Sequence, residues 1–117
     1  MVDTQTVGKT PIVKRSMELY LSVCQLAATM QTQINYNEMA DIRLTFKDFR
    51  YCLYEMYYLL IDSYDFDEKL KTDVEKWSKV SKISRKNELG FYIESLGLFK
   101  FMKEELNRLG IFSEVGE

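Results

Sequence analysis

The stretch "FKDFRYCLYEMYYLLIDSY", residues 46 to 64, carries seven aromatic side chains in nineteen positions. At the rotation of roughly 100° per residue in an α-helix, most of its apolar side chains gather on one face, the pattern of a helix that packs against a core. Thr45 followed three residues later by Asp48 resembles a capping box, so we predict a helix over 46–63. The predicted core face comprises Phe46, Phe49, Leu53, Met56, Tyr57, Leu60 and Tyr64.

A second row of rings lies on the side of this helix that should be polar. Three interpretations are open: a central helix packed on both sides buries the row, the row is a platform on which bases stack beside phosphate-binding cations, or it is an oligomer interface, where Tyr is favoured. We call this set the tyrosine row, and its members are Lys47, Arg50, Tyr51, Tyr54, Tyr58 and Ile61.

Helical signals also flank this segment. Thr10-Pro11 matches a helix start with Pro in the first position, which predicts an amphipathic helix over 11–34. The acidic segment 62–68 favours a turn and then the N-cap of a helix over 68–80. A last helix over 88–109 should end in a Schellman motif at Gly110, with Ile111 packed on Leu106.

The helical pattern predicts an all-α bundle of four main helices, with or without a fifth short one. Residues 35–44 fit a continuation of the first helix, a short separate helix or a bend. No alternation of apolar and polar residues indicates a strand. The small, polar residues 1–10 are linker-like and suggest a longer chain, and we expect one domain over 11–117.

The composition limits the environment and the partners. The net charge of -2 gives no global attraction to nucleic acid or membranes. No segment is apolar enough to span a bilayer, and the N-terminus lacks a signal-peptide core. Cys24 and Cys52 lack CxxC spacing, so we expect reduced core thiols in a cytoplasmic protein.

The sequence has no histidine, which excludes imidazole bases, Ser-His and Cys-His nucleophiles and His-containing metal sites. It contains no P-loop, dinucleotide-binding or zinc motif. Asp65 and Asp67 lack the Gly and the closing Glu of a calcium loop, so capping explains them better. We therefore expect no catalytic residue, no metal site and no enzymatic activity of the chain on its own.

A basic run follows the acidic segment, with five cations and no acid in residues 76–86. A spacing of three or four residues would place most of them on one side of the third helix and its following loop, which suits a phosphate-bearing partner. A solvated face whose lysines complement the C-terminal helix dipole is the alternative. The run comprises Lys76, Lys79, Lys82, Arg85 and Lys86.

Gly90 and Gly97 both fall inside the last predicted helix, where each glycine costs about 1 kcal/mol relative to Ala. On the helical wheel they share an outward face with Lys86, Ile93 and Lys100. This face predicts a notch for a ligand or another backbone, flanked by two ammonium groups. Alternatively, Gly90 marks the helix entry and Gly97 a bend.

This helical domain, with its linker-like start, outward Tyr and Lys and no catalytic constellation, resembles the helix-bundle accessory domain that follows the catalytic domain in archaeal plasmid primase-polymerases. The resemblance spans the whole chain and rests on size, helix pattern and composition. It implies that a preceding domain of the same chain holds the catalytic carboxylates and zinc. It also implies that the bundle binds single-stranded template DNA and ATP or another nucleoside triphosphate, with Mg²⁺, for primer initiation.

The resemblance assigns no residue by motif, so the expected site comes from the row, the run and the notch. The net acidity departs from the usual basic DNA-binding module. The rival interpretation is a non-enzymatic interaction module that forms homo-oligomers or docks a partner protein. The expected nucleic-acid and nucleotide-binding residues are Lys47, Arg50, Tyr51, Tyr54, Tyr58, Lys76, Lys79, Lys82, Arg85, Lys86, Gly90, Gly97 and Lys100.

Overall fold

The computed structural model describes residues 4–112, with side chains from residue 11 onward, and this part folds into four α-helices without a strand. The all-α prediction with four main helices is therefore confirmed, and the described residues contain no fifth helix. The helices are α1 (Thr4–Asn35), α2 (Met39–Leu60), α3 (Glu68–Ser78) and α4 (Glu88–Arg108).

The first helix begins at Thr4, so the predicted start at Pro11 is wrong. Once the packed part of a helix has formed, each added residue gains a backbone hydrogen bond without a new nucleation cost. Because Pro11 has no backbone N–H, a helix that extends past it loses only one backbone hydrogen bond. Residues 4–10 therefore continue α1. The first three residues of the expected linker-like segment 1–10 lie outside the described residues.

A tight turn joins α1 to α2 and resolves the segment that the sequence left open. Asn37 has a positive φ of 56°. Its N–H donates to the carbonyl of Ile34, and the N–H of Glu38 donates to the carbonyl of Gln33. These two bonds form a Schellman motif with Asn in the place of Gly. The chain then enters α2 at Met39, which makes residues 39–44 the first turns of the long aromatic helix.

The predicted capping box at Thr45 is wrong, because Thr45 lies inside α2. Its hydroxyl donates to the carbonyl of Asp41 at 3.1 Å, a bond to the preceding turn that lets Thr stand within a helix. The predicted caps of α3 and α4 are confirmed. Asp67 accepts from the N–H of Lys69 at 2.8 Å, and Gly110, at φ 64°, and Ile111 close the Schellman motif after α4.

Aromatic rings fill the layer between α4 and the antiparallel pair of α1 and α2. Phe46 meets Tyr92 with ring centroids 4.7 Å apart, and Phe49 meets Phe99 edge-on at 6.0 Å. Tyr20 of α1 contacts Phe99 at 6.1 Å. The predicted core face of α2 is thus buried, apart from the half-buried Tyr64 beyond the helix end.

Two further expectations concern cysteines and membranes. Cys24 and Cys52 are free thiols, but both are half-buried and lie at the edge of the core. Within residues 4–112, none of the helices combines the length and the apolarity that crossing a bilayer requires.

Candidate functional site

An open groove of about 600 Å³ runs along the outer face of α2, and we call it the tyrosine groove. The side chains of α2 supply most of its wall. The loop before α4 contributes Ile83, and α4 contributes Tyr92. The lining residues are Arg43, Phe46, Lys47, Arg50, Tyr51, Tyr54, Glu55, Tyr58, Ile83 and Tyr92.

Two rings of the tyrosine row are exposed to solvent within this groove. Tyr51 is 65 % exposed and Tyr58 is 51 % exposed, which argues against a helix packed on both sides at these positions. Tyr54 is half-buried between them, and this burial raises the pKa of its hydroxyl to about 12. The three side chains therefore offer ring surface to the groove, with Tyr51 and Tyr58 the more exposed.

Lys47 is the cation in the groove with the most freedom to meet a ligand. Its side chain is exposed and makes no ion pair within residues 11–112. It lies one helical turn before Tyr51, on the same side of α2. A ring and an ammonium group at this spacing can contact a flat apolar ligand and an anion attached to it.

Arg43, at one end of the groove, is anchored by a buried carboxylate. Its guanidinium donates two hydrogen bonds to Glu88, at 3.0 and 2.8 Å, and the Tyr92 hydroxyl donates to the same carboxylate at 3.2 Å. The Arg43 guanidinium holds the pKa of Glu88 below its ordinary value. This bidentate pair fixes the start of α4 against α2 and sets the groove's width there.

Arg50, which the sequence placed beside the ligand, has a structural role. One of its terminal nitrogens donates to the carbonyls of Trp77 at 3.1 Å and Ser78 at 3.2 Å, and also to that of Val80. These carbonyls belong to the end of α3 and the residues after it, where helical partners are missing. Arg50 thus closes the end of α3 while its charge stays at the groove wall.

Glu55 is the one carboxylate among the residues that line the groove. Its Oε1 lies 3.8 Å from a guanidinium nitrogen of Arg15 on α1. Hydrogen bonding with this carboxylate, and then its negative charge, raises the pKa of the Tyr51 hydroxyl. The other oxygen, Oε2, is buried and receives no hydrogen bond from the described residues.

The basic run does not form one surface, because α3 ends at Ser78 and helical spacing no longer applies beyond it. Lys76 lies over the Trp77 ring, 4.9 Å from its centroid. Lys79 pairs with Glu75 at 3.0 Å. Lys82, Arg85 and Lys86 are exposed in the loop before α4. The run meets the tyrosine row at the end of α3, where Lys79 lines a cavity together with Tyr58 and Ile61.

The glycine pair faces outward as predicted. A Cβ added at Gly90 or Gly97 would meet no atom of the described chain within 4 Å, so internal packing does not require either glycine. Gly90 and Lys86 line a separate cavity of about 380 Å³ beside Trp77 and Phe91. Gly97 and Lys100 are exposed and line neither this cavity nor the tyrosine groove.

Sequence reasoning missed several groove residues. Glu55 lies one turn after Tyr51, so helical spacing could have included it in the row. Arg43 fell in the segment left open, and it joins the row once α2 begins at Met39. Tyr92 and Ile83 come from other parts of the chain, and no local signal places them there.

The groove has the chemistry of a binding site. Within residues 11–112, where side chains are described, no group of three or more acidic or cysteine side chains could bind a metal ion. Cationic side chains outnumber the single carboxylate among the lining residues, and exposed rings supply apolar surface. Such a site suits a flat ring system that carries negative charge.

Comparisons with known proteins add no relative: no protein-family model, no curated protein and no solved structure matches this chain significantly.

Proposed function

We propose that this chain is a non-catalytic helical domain that binds single-stranded nucleic acid or nucleotides in the tyrosine groove. The observation that carries the proposal is the exposure of Tyr51 and Tyr58 beside the unpaired Lys47. Stacking on an aromatic side chain contributes about 1–3 kcal/mol per base and tolerates any base. An adjacent ammonium group contacts phosphate, which positions the strand.

Local charge supports the proposal despite the acidic total. Arg43, Lys47 and Arg50 line the groove with a single carboxylate, Glu55. Arg43 and Arg50 keep a formal charge even though their hydrogen bonds go to protein groups. Affinity should therefore fall as salt rises, with a shallow slope, because few phosphates are neutralised.

A role in primer initiation would place this domain beside the catalytic domain of a primase-polymerase, and it rests on the resemblance to such accessory domains. In that setting the groove would hold template DNA or the base of a nucleoside triphosphate. Mg²⁺ would arrive bound to the triphosphate, since the described residues offer no cage for it. Catalytic carboxylates and zinc would belong to the other domain.

Amide chemical-shift mapping tests the binding proposal. The isotope-labelled protein is titrated with a mixed-sequence single strand of about eight nucleotides, within the usual range of site sizes. In parallel it is titrated with ATP and Mg²⁺. We expect shifts along α2 and around Ile83. Unchanged spectra at millimolar nucleotide and at high strand concentration would refute the proposal.

Matched variants localise the effect. Changing Tyr51 and Tyr58 together to Leu should weaken strand binding by about tenfold or more, because two stacking faces are lost. Tyr36→Leu is the control, since Tyr36 is 73 % exposed in the turn between α1 and α2, outside the groove. Lys47→Gln should reduce the salt dependence of binding, whereas Lys14→Gln, on the exposed side of α1, should not.

A homo-oligomer or protein-docking role is the second candidate, and the outward face of α4 favours it. Leu89 is 42 % exposed and Ile93 is 51 % exposed, beside two glycines whose missing side chains leave room for another backbone. Light scattering over a range of concentrations distinguishes the two roles. A dimer that does not respond to nucleic acid would favour this second candidate.

A further inference from the structure

The outward face of α4 combines exposed apolar surface with a gap one helical turn away. Ile93 is 51 % exposed, and a Cβ added at Gly97 would meet no atom of the described chain within 4 Å. Glycine inside a helix is destabilising relative to Ala, and packing within the chain does not require it here. A bulky side chain and a gap on one surface can interlock with a second copy of the same surface.

The two ends of this face carry opposite charges. Lys86, two residues before α4, lines the same cavity as Gly90, which places it on the outward side of the helix. Glu104 follows Gly97 by seven residues, close to two full turns, so it shares that side. Both charged side chains are exposed, and neither forms an ion pair within residues 11–112. The face is therefore complementary in charge to a reversed copy of itself.

One antiparallel register satisfies the shape and the charges together. With a two-fold axis level with Ser95, Ile93 of each copy meets Gly97 of the other, because both residues lie two positions from that level. Lys86 and Glu104 both lie nine positions from it, so opposite charges meet at each end of the contact. A parallel pair would instead place Lys86 opposite Lys86 and Glu104 opposite Glu104.

We propose that the outward face of α4 binds a second copy of this chain, with the two α4 helices packed antiparallel about a two-fold axis. Such an interface is isologous, so each contact occurs twice. The inference rests on the oligomer role given above as the second candidate. It needs nothing from the tyrosine groove, because Tyr92, the α4 residue that lines the groove, lies on the buried side of the helix.

The dimer should be weak and sensitive to salt. One helix face from each copy buries less area than a standard interface, so we expect a Kd on the order of 100 µM at low salt. Leu89, which is 42 % exposed, adds to the contact, since it comes almost level with Lys100 of the second copy, whose aliphatic stem can cover it. The exposed ion pairs should weaken as salt rises.

Sedimentation velocity of the whole chain, over concentrations on both sides of this Kd, tests the contact. Ile93→Lys should weaken association about tenfold or more, because an apolar side chain leaves the interface twice. Leu21→Lys is the matched control, since Leu21 is 59 % exposed on α1 and the substitution makes the same change in charge. Both positions are exposed, so we expect both variants to fold.

A charge exchange tests the register. Lys86→Glu alone and Glu104→Lys alone should each weaken association about fivefold or more, because like charges then meet at both ends. An equimolar mixture of these two variants should associate about as tightly as the wild type, since opposite charges meet again in the mixed dimer. Lys82→Glu mixed with Glu104→Lys is the control: it has the same net charges, but Lys82 lies in the loop before α4 and should not restore association.

The outcomes separate this inference from the role on which it rests. A dimer that is unchanged in the Ile93→Lys protein would overturn the α4 contact and move the oligomer role to another surface. Mixed charge variants that associate no better than each alone would overturn the antiparallel register. A monomer at every concentration would refute this inference and the oligomer role together, and it would leave nucleotide binding in the tyrosine groove untouched.

Discussion

The carboxylate of Glu105, near the end of α4, accepts a hydrogen bond at 2.8 Å from the backbone N–H of Asp67, the residue that caps α3. The same carboxylate receives two bonds of 2.7 Å from Arg108. Glu105 is buried. One side chain thus ties the start of the short α3 to the end of α4. Arg50 closes the other end of α3 beside the groove, so Glu105 helps to position the helix on which that contact depends.

We predict that Glu105→Gln lowers the free energy of unfolding by about 1–3 kcal/mol, since the charge-assisted bonds weaken and a buried group loses part of its hydrogen bonding. Urea denaturation followed by circular dichroism measures the change. Glu104→Gln is the control, because Glu104 is the exposed neighbour on the same helix and should change stability by less than about 0.5 kcal/mol. Equal effects of the two substitutions would contradict the role of Glu105 in joining the start of α3 to the end of α4.

Acid should destabilise the fold through Glu88 and Glu105. Hydrogen bonds from Arg43 and Arg108 hold the pKa of Glu88 and of Glu105, respectively, below the ordinary value of a glutamate. Groups with a lowered pKa in the folded state contribute stability above their unfolded pKa, about 4.3, and lose it as the pH falls through the folded value. We therefore expect the urea concentration at the midpoint of unfolding to decrease once the pH drops below about 4.3.

The measurement is a series of urea denaturations from pH 7 down to pH 3. The protein in which both Glu88 and Glu105 are changed to Gln should start from a lower midpoint and show a shallower decline over the acid range. A decline as steep as that of the wild type would assign the acid sensitivity to other carboxylates.

The fold was more predictable than the site, because helices depend on local spacing and caps. The Asp67 cap and the Schellman ending at Gly110 could be read from residues a few positions apart. The start of α2 could not, since Asn37 takes a left-handed conformation in a turn that lacks glycine, and Thr45 bonds within the helix it was expected to begin.

The tyrosine groove, too, could be predicted from the sequence only in part. Helical spacing placed Tyr51 and Tyr58 on one side of the helix but left open whether neighbouring helices bury that side, and the structure shows both side chains exposed. Spacing could not show that Arg50 would be held by carbonyls almost thirty residues away, nor that α3 would end before most of the basic run. The Arg50 contact depends on where the end of α3 lies beside α2, which local sequence does not specify.

Arg50 and Lys47 should therefore respond differently to substitution. Arg50→Gln replaces the charged guanidinium by a shorter, neutral amide and so loses the bonds to the carbonyls at the end of α3, and we expect a loss of about 1.5–3 kcal/mol in the free energy of unfolding. Amide exchange should speed up around Trp77 and Ser78. Lys47→Gln, at an exposed and unpaired position, should leave stability within about 0.5 kcal/mol. A stability loss of similar size in both variants would contradict the distinction between a structural Arg50 and an unpaired Lys47.

Gly97 allows the outward face of α4 to be tested separately from the groove. Because an added Cβ would meet open space, Gly97→Ala should increase the free energy of unfolding by about 0.5–1 kcal/mol through helix propensity and reduced freedom of the unfolded chain. Urea denaturation measures the gain, and nucleotide-induced shifts along α2 should be unchanged. Destabilisation would show that this position excludes a side chain. A gain in stability accompanied by loss of an oligomer would instead show that another helix approaches the chain at Gly97.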